Sequence, residues 1–162
     1  MPIYMQYDGI DGAVTTKGLE KWIELESLQF ATSRGVHSAA RSTAIRESTD
    51  PSVSEIVITK RVDKTSPQLF RESLAGKMKA TVRFKFTTTA KDKVETYLSY
   101  ELSNCGVTNY SLSGSGGPVH SAPGESLSIN CTKIMVTYIE RDEKIRGVPN
   151  TTGYDLQSMQ PH

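Results

Sequence analysis

Reactive and membrane-seeking features are scarce in this sequence. Two cysteines, Cys105 and Cys131, in 162 residues are too few for a disulfide framework, and a chain of this length needs no such staple. No apolar run approaches the roughly 18 residues of a membrane-spanning helix. The opening residues MPIYMQYDGIDG lack a basic stretch followed by an apolar one, so the expectation is a chain made in the cytoplasm without a cleaved leader. A surplus of one charge is missing too. The 19 basic and 18 acidic side chains are interspersed and leave a net charge of +1, so no stripe exists to attract a phosphate backbone, and nucleic acid is not an expected partner.

The recognised catalytic patterns are also absent. There is no Gly-x-Ser-x-Gly elbow and no His-Glu-x-x-His. His37, His120 and His162 fall in predicted loops or at the terminus, without spacing that would converge them on a metal. GSGGP after a strand lacks the following helix and the Lys-Ser/Thr of a phosphate-binding loop, and reads as a hairpin tip. Asp63 and Glu72 flank a predicted helix, which suits a turn residue and a solvated face better than a catalytic pair. Asn109, Asn130 and Asn150 begin glycosylation-type triplets that carry little weight without a secretory leader. No cofactor, metal or catalytic residue is therefore expected.

What the chain does have is the two-residue rhythm of strands around one helix. PIYMQY has strand composition, and Asp8-Gly9 and Asp11-Gly12 supply residues suited to positive φ in tight turns. In WIELESLQF, Ile23 and Leu25 share one face and Leu28 and Phe30 the other, a parity switch that predicts a bulge or a strand turning a barrel corner. Residues 31–52 have little period and much Ser, Thr and Arg, and are read as a flexible loop that is either disordered or touches a partner. VSEIVITKRV alternates Ile56, Ile58 and Val62 against Glu55 and Arg61.

In KRVDKTSPQLFRESLAGK, Ser66 is the expected N-cap, Pro67 the first helical residue and Gly76 a left-handed C-terminal residue. Leu69, Phe70, Ser73 and Leu74 form a stripe expected to dock this short helix on a sheet. KATVRFKFTT and KVETYLSYEL alternate cleanly around Ala90-Lys91-Asp92. NCGVTNYSLS and SLSINCTKIMVTYIE flank the Gly-rich loop, with a bulge expected where Leu127, Ile129 and Cys131 give way to Ile134, Val136 and Tyr138. From Glu140 the chain reads as charged and turn-rich, with GYDLQ as a short strand and 157–162 as a tail. Cys105 and Cys131 are expected as buried thiols, although pairing across the loop could bring them close.

In their order and spacing, SEIVITKRVDKTSPQLFRESLAG, YLSYELSNCGVTNYSLSGSGG and ESLSINCTKIMVTYIERD, with WIELESLQF upstream, resemble the haemolysin-coregulated protein (Hcp) family of type VI secretion. The resemblance spans Ile3 to Leu156. Its most specific pieces are Thr59-Lys60, Asp63, Ser66-Pro67, Leu69, Glu125-Ser126-Leu127 and Thr132-Lys133-Ile134. Gly106 and Cys131 depart from it, standing where bulkier apolar and aromatic residues are usual. It implies one domain over 1–162, mainly β: a small β-barrel of two curved antiparallel sheets with one short α-helix alongside, similar to contractile phage tail-tube proteins.

The resemblance further implies a homohexameric ring that stacks into a hollow tube inside a contractile sheath. The tube would carry a VgrG-like spike protein at its tip and effectors in its lumen, and be secreted without a signal peptide or membrane insertion. Ser33, Arg34, Arg41 and Arg46 are then expected at ring or stacking contacts and Gln29 at the lumen, with Leu69, Phe70 and Leu74 docking the helix. The other readings are a stand-alone β-barrel that binds carbohydrate or protein through the Gly-rich loop and Tyr97 or Tyr110, and a hydrolase with an unfamiliar site.

Overall fold

The computed structural model describes residues 1–37, 47–90, 92–118, 121–142 and 145–161. Arg41, Arg46, Lys91, His120 and His162 lie outside them. Strands dominate. The first, β1 (Ile3–Tyr7), pairs antiparallel with β2 (Ile23–Leu25), Ile3 opposite Leu25. The next strand, β3 (Ser27–Gln29), follows β2 after Glu26 alone, and it pairs with β8 (Ile56–Arg61) in the other sheet, Leu28 opposite Ile58. The parity switch in WIELESLQF is this corner. Glu26 holds it, its N–H donating to Thr59 O at 2.8 Å and its carboxylate accepting from Arg61 Nε at 2.6 Å.

Residues 31–52, read as an aperiodic loop, contain instead an antiparallel ribbon. Its base pairs β4 (Thr32–Ser33) with β7 (Ser52–Val53), and farther out β5 (Val36–His37) pairs with β6 (Glu47–Ser48). The Ser and Thr residues that hid its period fasten it: Ala31 N–H donates to Ser54 Oγ at 2.8 Å, the Ser33 and Ser52 hydroxyls lie 2.7 Å apart, and Thr49 N–H donates to Gly35 O at 2.8 Å.

After β8 comes the helix α1 (Ser66–Ala75). Its N-cap is Thr65, not Ser66, and Pro67 follows in the first turn. The cap is built from behind: Asp63 Oδ1 accepts from the Thr65 N–H at 2.8 Å, and the Ser66 hydroxyl turns back to accept the Asp63 N–H at 2.9 Å. Gly76 is extended rather than left-handed, with φ −67°, its N–H donating to Glu72 O at 3.0 Å. The docking face is also narrower than the sequence stripe. Ser66 and Leu69 are buried, whereas Phe70 is 50% and Leu74 73% exposed. Leu69 and Phe70 are consecutive and so point about 100° apart around the helix; the side that carries Leu69 meets the core, and Phe70 and Leu74 lie to one side of it.

Two long strands follow, β9 (Ala80–Ala90) and β10 (Lys93–Ser113), joined by the expected hairpin with Lys93 opposite Ala90. The two strand patterns on either side of Asn104 are one 21-residue strand; Asn104, at φ 54°, marks its bend. Beyond the Gly-rich loop, the expected bulge is a break between β11 (Gly124–Asn130) and β12 (Lys133–Asp142). Both strands run along β10.

The tail is more regular than its composition suggests: β13 (Ile145–Asp155) pairs along β12 and β14 (Gln160–Pro161) adds to its end. Thr137 and Thr151 hydroxyls meet across it at 2.9 Å. Pro149 is tolerated because β14 pairs only with Tyr154 and Asp155, leaving Pro149 on an open edge.

The pairings run β2, β1, β9, β10, β11, β8, β3; β2 and β3 are joined through Glu26 and not by a strand pair, so the two antiparallel sheets curl around one core without closing. Its centre is Met5, Ile23, Ile56, Ile58, Leu69, Val82, Phe84, Leu102, Leu127 and Ile129. Of the two Asp-Gly pairs, Gly9 takes the expected turn with φ 80°. Gly12 has no positive φ; a Cβ there would lie 2.0 Å from Trp22 O, so close backbone approach explains it.

Candidate functional site

Beneath α1 lies a charged cluster that strand parity puts in the interior. The β8 alternation buries Ile56, Ile58 and then Lys60, while that of β11 buries Glu125, Leu127 and Ile129. Glu125 is the direct cross-strand partner of Lys60. A buried ammonium is tolerable only with all three of its protons placed. Lys60 Nζ donates to Arg61 O at 2.8 Å, ion-pairs with Asp63 Oδ1 at 3.0 Å and ion-pairs with Glu125 Oε1. Glu125 is equally well satisfied, accepting from Ser66 Oγ at 2.9 Å and from Tyr110 Oη at 2.5 Å.

The cluster ties the helix start to two strands. Burial raises the Asp63 pKa, but hydrogen bonds from Thr65 and Lys60 outweigh it and hold the carboxyl below its ordinary range. Burial, together with the adjacent Glu125 carboxylate, pushes the Tyr110 phenol up to about 12. Its charges are paired within the fold, Lys60 with Asp63 and Glu125, and Ser66 joins them to the start of α1, so the cluster fastens the helix to the strands. It unites Lys60, Asp63 and Ser66 from one stretch with Glu125 from another, yet the alternation was read only as far as Ile58 and Val62. Two opposite charges at inward-parity positions, Lys60 with Ile58 and Glu125 with Leu127, were the signal.

Asp63 and Glu72 are not brought together. Asp63 sits before the helix and Glu72 near its other end, on the order of 13 Å along the axis, where its charge helps burial raise the pKa of the buried Tyr7 phenol. Cys105 and Cys131 are free and buried, with burial raising their pKa values to about 12 and about 11. Among the described residues no helix is long and apolar enough to cross a membrane.

The outer surface is less satisfied. Phe70 packs its ring edgewise on Tyr110, centroids 5.5 Å apart, and leaves half of itself in solvent beside the exposed Leu74. Two residues beyond Tyr110 on the same strand face, Leu112 is also exposed. Ser33 and Arg34 are exposed on the ribbon, and Gln29 is exposed on β3 opposite Val57. Tyr110, considered for carbohydrate stacking, is engaged by Phe70 and Glu125.

A family model described as "Type VI secretion system effector, Hcp" matches residues 4–138. No curated sequence matches significantly. Among solved structures, one titled as a type six secretion system protein has a TM-score of 0.89 at 21% identity, with 99% of each chain covered. Hcp1 from Salmonella typhimurium has a TM-score of 0.75 at 23% identity, covering 99% of this chain and 98% of that one. A chain of the six-fold symmetrised anti-feeding prophage baseplate has a TM-score of 0.54 at 8% identity, covering 83% and 90%. At these identities the structures establish a shared fold.

Proposed function

Since this chain belongs to the Hcp family of type VI secretion proteins, we propose that it is a tube subunit that closes into six-membered rings. The rings stack into a hollow tube within a contractile sheath, meet a spike protein at the tip, carry effectors in the lumen and leave the cell with them. The observation that carries this reading is the match of the whole chain, at a TM-score of 0.89, to a type six secretion system protein. The six-fold symmetry of the prophage baseplate supports the ring number.

A closed ring needs two different patches on each copy, and stacking needs more. The exposed ribbon with Ser33 and Arg34, and the outward Phe70, Leu74 and Leu112, are surface that a solitary barrel has no use for. Gln29 is assigned to the lumen. The deeply satisfied Lys60–Glu125 cluster, which leaves no free nucleophile or base, fits a structural subunit without catalytic activity.

The experiment is export from a type VI-competent cell. The chain should appear in the medium, made first in the cytoplasm, and vanish from it when the contractile sheath is deleted. Equal release with and without the sheath would refute the reading. Arg34→Glu should weaken assembly, seen as a lower mass in light scattering, while leaving the monomer folded.

A further inference from the structure

We propose that Cys105 and Cys131 close a cross-strand disulfide when the chain meets a small-molecule disulfide oxidant, making the middle of the barrel an oxidative modification site. The register places them. On one side of the β11–β12 break Ser103 lies opposite Lys133; on the other, Gly106 lies opposite Asn130. Two steps inward from the first pair and one step outward from the second both set Cys105 against Cys131, so no net insertion separates them.

Neither ladder includes this pair itself, and β10 shifts its register against β9 between Leu102 and Cys105; the extrapolated pairing would set the two Cα atoms about 4.5–5.5 Å apart, inside the roughly 4.4–6.8 Å span that a disulfide bridges. Partners in register also project to the same side of the sheet. Here both side chains belong to the same buried cluster, and each thiol lies close enough for the charge of Cys131 to register at Cys105. The gap between them is held from outside by Thr132 N–H donating to Ser103 O at 3.1 Å and Asn104 Nδ2 donating to Thr132 Oγ1 at 2.8 Å. Both cysteines are free of disulfides, and Cys105 is touched by a backbone hydrogen bond at Val82.

The step balances as thiol–disulfide exchange. One cysteine thiolate attacks oxidised glutathione, breaking its S–S bond and expelling one glutathione thiolate. The second cysteine thiolate then attacks the mixed disulfide and expels the other. Two cysteine protons end on two glutathione thiols, the electron pair reduces the oxidant, and one S–S bond joins β10 to the β11–β12 joint. Burial keeps the thiols protonated, so the reaction is slow in the folded chain and fast during folding or opening. The closed loop, residues 106–130, contains the whole β10–β11 connection.

The test refolds the full chain in oxidised glutathione and compares it with chain refolded in a reductant. After denaturation, free thiols are counted and peptides mapped by mass. Expected are no free thiols, one peptide pair joining Cys105 to Cys131 within a chain, and a thermal midpoint about 5–10 °C higher that reductant reverses. Cys131→Ser should lose the shift. A soluble refolded chain that keeps both thiols, carries glutathione on each, or links only between copies overturns the proposal. The readout uses denatured single chains, so it does not depend on ring formation.

Discussion

Lys60 and Glu125 face each other across β8 and β11 as an ion pair with neither side chain exposed to solvent. Removing one partner strands a charge in the core, whereas removing both leaves no unpaired charge there, only the Ser66 and Tyr110 hydroxyls and the part-exposed Asp63 without their partners. Lys60→Met or Glu125→Leu alone should each cost about 3–5 kcal/mol. The double variant should cost far less than their sum. Urea unfolding at one fixed association state measures this, and strictly additive losses would show that the two residues do not act as a pair.

The helix gives a second contrast. Leu69 is wholly buried and Leu74 mostly exposed, so Leu69→Ala should destabilise by about 2–5 kcal/mol and Leu74→Ala by no more than about 0.5 kcal/mol. Phe70→Asp should leave a folded chain, because it removes an edgewise contact with Tyr110 and not a core side chain. Loss of soluble protein from Phe70→Asp would mean the helix docks on a wider face.

Acid should weaken the chain partly through Asp63. Its folded pKa lies below the ordinary 3.8, so its contribution is present above that value and is lost as pH falls through it towards the folded pKa. Asp63→Asn should lower stability at neutral pH and flatten the acid limb of the stability profile. An unchanged limb would assign acid sensitivity to other carboxyls.

The thiols should be inert in the folded chain. With pKa values raised from 9.0 to about 12 and about 11, neither is ionised near pH 8, and both are buried. Iodoacetamide should label the denatured chain fully in the time that the native chain stays unlabelled. The raised values also mean that stability from these groups is present below pH 9 and falls as pH rises towards the folded pKa values. Rapid native labelling of either cysteine would contradict the core assignment.

How much of this was legible depended on whether local pattern and tertiary partner agreed. Ala80, Val82, Phe84 and Phe86 alternate because one sheet face meets the core, and the corner at Glu26 showed itself as a change of parity between Leu25 and Leu28. Residues 32–53 hid a ribbon because its pairing rests on backbone and on Ser and Thr hydroxyls, which have no apolar period. The strand Ile145–Asp155 was obscured by Gly147, Pro149 and Gly153, all tolerable only beside a partner strand already in place. Gly106 looked like a packing defect, yet the Met78 thioether occupies the volume its missing side chain would fill. The Lys60–Glu125 pair was missed because charged residues were assigned outward by habit; their parity pointed inward.

Identical copies of this chain closing on themselves are tested most directly by the mass and symmetry of the purified protein, from native mass spectrometry with electron microscopy. Such closure predicts a particle of six chains seen end-on as a ring around an open hole. A single-chain particle that persists at high concentration and low salt would contradict it.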